Sequence, residues 1–300
     1  MQADAAKDYP FEEIRFTTRD GLRLYGRRYR AHKDMGRRPV LCLAGLTRNS
    51  RDFHDIATAL SQHADAPRDV FTLDSRGRGG SDHDADWRNY SVPVEMQDAL
   101  DFMARSELAD VAIIGTSRGG LLAMVMGAAR PTAIGAVVLN DIGPVIETEG
   151  LLRIAGYVGR TPPPSSWTHA GELSAQIYQR QFPGISAERW QQLARQWFND
   201  EGGRPVASYD AKLSRALSVL DGPMPTLWPQ FATLNRVPVM VIRGANSDLL
   251  SDATVEEMGR RHPALAKHVV AGEGHAPLLQ DTPTVAAVAR FLDMADLTRH

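Results

Sequence analysis

Val111-Ala112-Ile113-Ile114-Gly115-Thr116-Ser117-Arg118-Gly119-Gly120 is the stretch from which the rest of the chain can be read. Four apolar residues make a short buried strand. Gly115-x-Ser117-x-Gly119 follows at once, and residues 120–126 read as a helix. Strand, G-x-S-x-G and helix in that order are what a nucleophile elbow requires. The serine stands on a sharp strand-to-helix turn, with glycines two residues to either side so that the backbones can cross closely. Its hydroxyl then sits beside the first N–H groups of the helix, whose dipole favours a developing oxyanion. The five-residue pattern alone also suits an ordinary glycine-rich turn. The flanking strand and helix, and the partners found downstream, separate the two.

A serine hydroxyl needs a base within hydrogen-bond reach, and the base needs an orienting acid. His275 is the candidate base. It lies in Ala271-Gly272-Glu273-Gly274-His275-Ala276-Pro277, just beyond the last expected strand, where α/β sheets gather their catalytic groups. Asp248 is the candidate acid, in the loop after Val239-Met240-Val241-Ile242. Its rival is Asp141, at the end of the strand over residues 136–140, which also reads as a cap for the turn before Gly143-Pro144. An oxyanion hole needs two aimed donors. The backbone N–H of Arg118 supplies one, and the N–H of Leu46, in the loop after the strand over residues 40–43, supplies the other.

Working outward, residues 1–10 read as a loose leader, and two alternating segments around Asp20-Gly21 read as a hairpin. Continuous apolar runs at 40–43, 70–73, 111–114, 134–140, 238–242 and 268–270 read as strands covered on both faces. Helical spacing appears at 53–60, 94–103 and 284–294. Strand alternates with helix, so the body is expected to be a mostly parallel sheet with right-handed crossovers. The alternation breaks between residues 145 and 231. That stretch holds Trp167, Trp190, Trp197 and Trp228, the triplet Pro162-Pro163-Pro164, and an amphipathic segment over 187–198. It reads as a helical insertion whose aromatics form its own small core. If it covers the elbow, one or two of them line a pocket.

Composition narrows the function classes. Three hundred residues suit one large α/β domain or one with an insertion. A formal net charge of -2 leaves no basic excess to neutralise phosphates, against a general nucleic-acid binder. The single cysteine, Cys42, excludes an intramolecular disulfide and reads as a small buried residue. There is no apolar h-region near the first residue and no run of about eighteen apolar residues, so a soluble cytoplasmic protein is expected. The nine histidines show no H-E-x-x-H spacing, so no zinc site is expected.

Taken together, Gly115-x-Ser117-x-Gly119, Asp74-x-Arg76-Gly77-x-Gly79-x-Ser81, Gly244-x-x-Ser247-Asp248 and Gly272-x-Gly274-His275 resemble the α/β-hydrolase superfamily. The resemblance is to its members with a helical cap, and it extends over residues 12–295. It implies an α/β-hydrolase core over 1–144 and 232–300 with a cap, or lid, over 145–231. The triad Ser117, Asp248, His275 keeps the family's chain order. One departure is the oxyanion loop, where Ala44-Gly45 stands in place of the usual His-Gly, and the missing histidine normally supports that loop. Haloalkane dehalogenases and epoxide hydrolases of this fold carry an aspartate nucleophile, and Ser117 argues against both.

The resemblance implies acyl transfer with no cofactor and no metal. Ser117 attacks a carbonyl, His275 moves the proton, and water resolves the acyl-enzyme. A small carboxylic ester or lactone is the expected substrate. Hydrolysis of a carbon–carbon bond next to a ketone (the meta-cleavage product type) and amide hydrolysis use the same triad. From a different class, members of this fold also serve as small-molecule receptors, which an intact triad disfavours. Arg48, just past the oxyanion loop, is the candidate for holding a substrate carboxylate. The expected partner is a small molecule, not nucleic acid or membrane, and both monomer and homodimer stay open.

Overall fold

Asp20-Gly21 turns the chain between two antiparallel strands, β1 (Glu12–Thr17) and β2 (Arg23–Tyr29). The computed structural model describes residues 11–218, 225–262 and 264–298, so the leader expected over residues 1–10 lies outside the described residues. Strands β3 (Val40–Leu43), β4 (Val70–Asp74), β5 (Val111–Thr116) and β6 (Ile134–Asn140) follow, with helices α1 (His54–Ser61), α2 (Val92–Arg105) and α3 (Arg118–Ala129) between them. The chain then leaves the sheet for α4 (Thr148–Tyr157), α5 (Trp167–Tyr178), α6 (Ala187–Trp197), the hairpin β7 (Phe198–Glu201) and β8 (Arg204–Ala207), α7 (Leu213–Ser218) and α8 (Trp228–Ala232). It returns through β9 (Val239–Gly244), α9 (Asp252–Arg261), β10 (Ala266–Val270) and α10 (Thr282–Asp296).

The eight-stranded sheet runs β1-β2-β4-β3-β5-β6-β9-β10. Only the pairs β1–β2 and β2–β4 are antiparallel; every pair from β4 to β10 is parallel. This is the α/β-hydrolase arrangement expected from the motifs. The apolar runs are continuous because alternate residues go to opposite faces, and both faces are covered. Val40, Cys42, Ile114 and Val138 pack with α1 and α10 through Ile56, Leu60, Val288 and Leu292. Leu41, Leu43, Ile113 and Leu139 pack with α2, α3 and α9 through Phe102, Leu122 and Met258.

Two expectations need correction. Strand β10 does not repeat the buried pattern: it is an edge strand, paired only with β9, and Val269 is exposed. Among the described residues of 145–231 the regular elements are helical apart from the hairpin β7–β8, whose turn is Gly202-Gly203 with both residues at positive φ. Of the four tryptophans of this stretch, Trp190 and Trp197 form a small core with Phe182 and Leu193, whereas Trp228 packs against the main core. Among the described residues no helix is long and apolar enough to cross a membrane.

Candidate active site

Ser117 stands between β5 and α3 with φ 51° and ψ -114°, a region that non-glycine residues rarely occupy. The flanking glycines make this turn possible by close approach. A Cβ on Gly115 would lie 2.5 Å from the carbonyl oxygen of Gly119, and one on Gly119 would lie 2.0 Å from that of Leu43. Neither position admits a side chain. The strained turn lifts Oγ of Ser117 out of the sheet, where it meets Nε2 of His275 at 2.9 Å.

On its other side, Nδ1 of His275 lies 2.8 Å from Oδ2 of Asp141. Asp141 is fully buried and an ionised carboxylate only accepts, so Nδ1 carries the proton and Nε2 is left to accept from the serine hydroxyl. The acid facing His275 is therefore Asp141, not Asp248. Strand order explains the correction. β6 lies next to β5, so the residue ending β6 emerges beside Ser117, and the loop after β10 folds His275 back over β9 to meet it. Asp248 is turned the other way, into a two-pronged ion pair with Arg153 of α4, at 2.5 and 2.9 Å.

The Gly244-x-x-Ser247-Asp248 motif still serves the site, through other members. The N–H of Gly244 donates to Oδ1 of Asp141 at 2.8 Å, and the hydroxyl of Ser247 donates to Oδ2 at 2.5 Å. Gln181, from the connection between α5 and α6, accepts the backbone N–H of His275 at 2.8 Å. The side-chain amide of Asn140 donates to the carbonyl of Pro277 at 2.9 Å. Sequence reasoning missed these four supports. An acid placed directly after the strand neighbouring the elbow was the one available signal for Asp141; nothing local marks Gln181.

A cavity of about 70 Å³ opens over Ser117 and His275, with Gly45, Leu46, Tyr157 and Tyr178 among its walls. A second of about 200 Å³ adjoins it, sharing Thr47, Arg48, Tyr157 and Tyr178 and adding Ile177 and Trp197. Burial pushes the Tyr157 hydroxyl well above its ordinary value, with nearby Tyr178 adding to the shift, so it stays a protonated donor. Arg48 lies in the wall of both cavities. Its guanidinium is already held by Asp52 at 2.7 and 2.8 Å and stacks 3.7 Å over the ring of Trp197. Arg118 opens α3, where the first N–H groups have no intrahelical acceptor. Leu46 lines the cavity beside Ser117. The arrangement can activate a hydroxyl, hold the imidazolium that forms, and offer backbone donors to a developing negative oxygen.

Comparison with known proteins agrees with this fold. The profile of the alpha/beta hydrolase family matches residues 40–288. A 3-hydroxybutyrate-oligomer hydrolase of Cupriavidus necator is 30% identical over 85% of this chain and 88% of its own. A 2-(acetamidomethylene)succinate hydrolase of Mesorhizobium japonicum is 27% identical over 85% of this chain and 87% of its own. The crystal structure of an alpha/beta hydrolase from Novosphingobium aromaticivorans superposes with a TM-score of 0.86 at 37% identity, covering 94% of this chain and 98% of the other. With its elbow, its sheet order and a match spanning most of its length, this chain belongs to the alpha/beta hydrolase family.

Proposed function

We propose that the protein is a serine hydrolase that cleaves a small carboxylic ester through an acyl-enzyme. The observation that carries this reading is the unbroken relay from Oγ of Ser117 through the ring of His275 to the buried carboxylate of Asp141. Oγ attacks the carbonyl carbon as Nε2 of His275 takes its proton. The carbonyl oxygen, now negative, is received by the N–H groups of Leu46 and Arg118. His275 returns the proton to the leaving alcohol, then takes one from the water that attacks the acyl-enzyme. Asp141 holds the ring in the required tautomer and stabilises its charged form.

Residues 145–231 act as a cap in this reading, because Ile154, Tyr157, Tyr178 and Gln196 from that stretch complete the cavity above Ser117. The adjoining apolar cavity suits an uncharged carbon chain, and the pairing of Arg48 with Asp52 argues against a dedicated carboxylate clamp there. The likeness to a hydrolase of 3-hydroxybutyrate oligomers, whose units are joined by ester bonds, supports a short aliphatic oligoester as the natural type of substrate. The likeness to an enzyme whose named substrate carries an acetamido group favours a second reading, amide cleavage by the same triad.

The test compares p-nitrophenyl butyrate, a 3-hydroxybutyrate dimer and p-nitrobutyranilide with the purified protein and Ser117→Ala. The expected result is turnover of both esters with little of the anilide, abolished in Ser117→Ala. Anilide cleavage as fast as ester cleavage would move the assignment to amides.

A further inference from the structure

Beneath the oxyanion loop lies a buried ionic cluster that the triad does not use. Glu95 of α2 is 2% exposed. One of its carboxylate oxygens accepts from Nη1 of Arg78 at 2.8 Å, and the other accepts from Nε of Arg118 at 2.6 Å. Arg78, 1% exposed, also donates through Nε to the carbonyl of Leu46 at 2.8 Å and through Nη1 to the carbonyl of Arg76 at 2.6 Å. Arg118 donates through Nη2 to the carbonyl of Tyr90 at 3.1 Å. Each residue assigned a donor role in the oxyanion hole is thus bonded to this cluster, Leu46 through its own carbonyl and Arg118 through its own side chain.

Two physical points give the cluster a purpose beyond stability. Burying three charges is expensive, and an apolar replacement of similar volume commonly serves stability as well or better. An oxyanion hole, by contrast, works only if its donors are fixed in advance, because donors that must reorganise during the reaction give up the advantage. The loop here carries Ala44-Gly45 and so has no side chain at residue 44 or 45 able to hydrogen-bond the loop in place. The bond from Arg78 to Leu46 supplies that support from below.

We propose that Glu95 is the positioning residue of the oxyanion hole, its carboxylate holding Arg78 against the Leu46 carbonyl and Arg118 at the head of α3 so that the two backbone N–H groups converge. The proposal rests on the serine-hydrolase reading above. Burial alone would raise the Glu95 pKa, but Arg118 and Arg78 outweigh it and hold the group below its ordinary value, so the bridge is ionised throughout the neutral range.

Glu95→Gln tests this with little change of shape. Its amide nitrogen would face a guanidinium, donor against donor, and one arm of the bridge would open. Arg118→Met opens the same arm from the less buried side, where the arginine side chain is 16% exposed, and keeps the backbone N–H. For both variants and their double, kcat and KM are measured on p-nitrophenyl butyrate, together with the Kd of an aryl boronic acid that mimics the tetrahedral intermediate, and the unfolding midpoint. The expected result is a kcat about 10- to 100-fold lower with KM near the parent's, less than the roughly 100- to 1000-fold lost when an oxyanion donor is removed outright, because both N–H groups are kept. The boronic acid should weaken by the same factor, and the double variant should fall little below the worse single one. Folded variants with parental kcat and boronic acid affinity, and only a lower unfolding midpoint, would overturn the proposal. If Glu95→Gln does not fold, the same criteria apply to Arg118→Met. A parent without Ser117-dependent turnover defeats the serine-hydrolase reading itself, whereas an active parent with unaffected variants defeats only the role of Glu95.

Discussion

Asp141 and Asp248 are chemically the same group; Asp141 directly follows β6, and Asp248 lies in the loop after β9. Their different fates come from their partners. Asp141 receives Gly244, Ser247 and His275; Asp248 receives Arg153. Asp141→Asn should therefore lower kcat on p-nitrophenyl butyrate by about 10³- to 10⁴-fold, the scale found when the acid of such a triad loses its charge. Asp248→Asn should leave kcat within a few-fold. It should cost stability instead, by about 1.5–3 kcal/mol in urea unfolding, because it weakens a charged hydrogen-bonded pair. Ser117 and His275 were legible in the sequence because each lies in a glycine-marked turn at the end of a strand. The choice of acid was not. It depends on β6 lying beside β5 in the sheet, and on an arginine 95 residues away in the chain from Asp248. Neither is a local property. The support for the oxyanion loop was hidden for the same reason, since Arg78, Glu95 and Arg118 come from three separate elements.

Among the elements, the parallel strands were readable because burial on both faces leaves a continuous apolar run. α6 was readable because Trp190, Leu193, Ala194 and Trp197 recur at helical spacing on its buried face. The hairpin β7–β8 was not, because it lies over the surface with little apolar pattern and only Gly202-Gly203 marks its turn. The connection from α5 to α6 has a consequence for function. Gln181 reaches from it to the N–H of His275, and its backbone carbonyl accepts from Asn246 at 3.2 Å. Nearby, Arg51 donates to the carbonyls of Gln196 and Phe198 at 2.7 and 3.1 Å. Bonds on both sides of the cavity thus fasten this stretch to the sheet. Gln181→Ala should lower kcat about tenfold, with a smaller change in KM, since it frees the loop that aims His275 and leaves a buried N–H unpaired. Steady-state kinetics on p-nitrophenyl butyrate checks this. A parental kcat would show that the loop is held without Gln181.

At the scale of the whole molecule, the sheet brings together groups from five strand ends. β3 leads to Leu46, β5 to Ser117, β6 to Asp141 and β10 to His275, while β9 leads to Gly244 and Ser247, which hold Asp141. The stretch after β6 then closes a small cavity over them. That convergence is what the proposed acyl transfer needs, and it predicts a covalent intermediate on one residue. The measurement that tests it most directly is rapid quenching of the protein with excess p-nitrophenyl butyrate, followed by mass analysis of the peptide carrying Ser117. The expected result is a butyryl adduct on Ser117 that forms in the first turnover, decays as substrate is exhausted and accumulates in a variant slowed at deacylation. Undiminished ester hydrolysis by Ser117→Ala, with no adduct on that peptide in the parent, would contradict it.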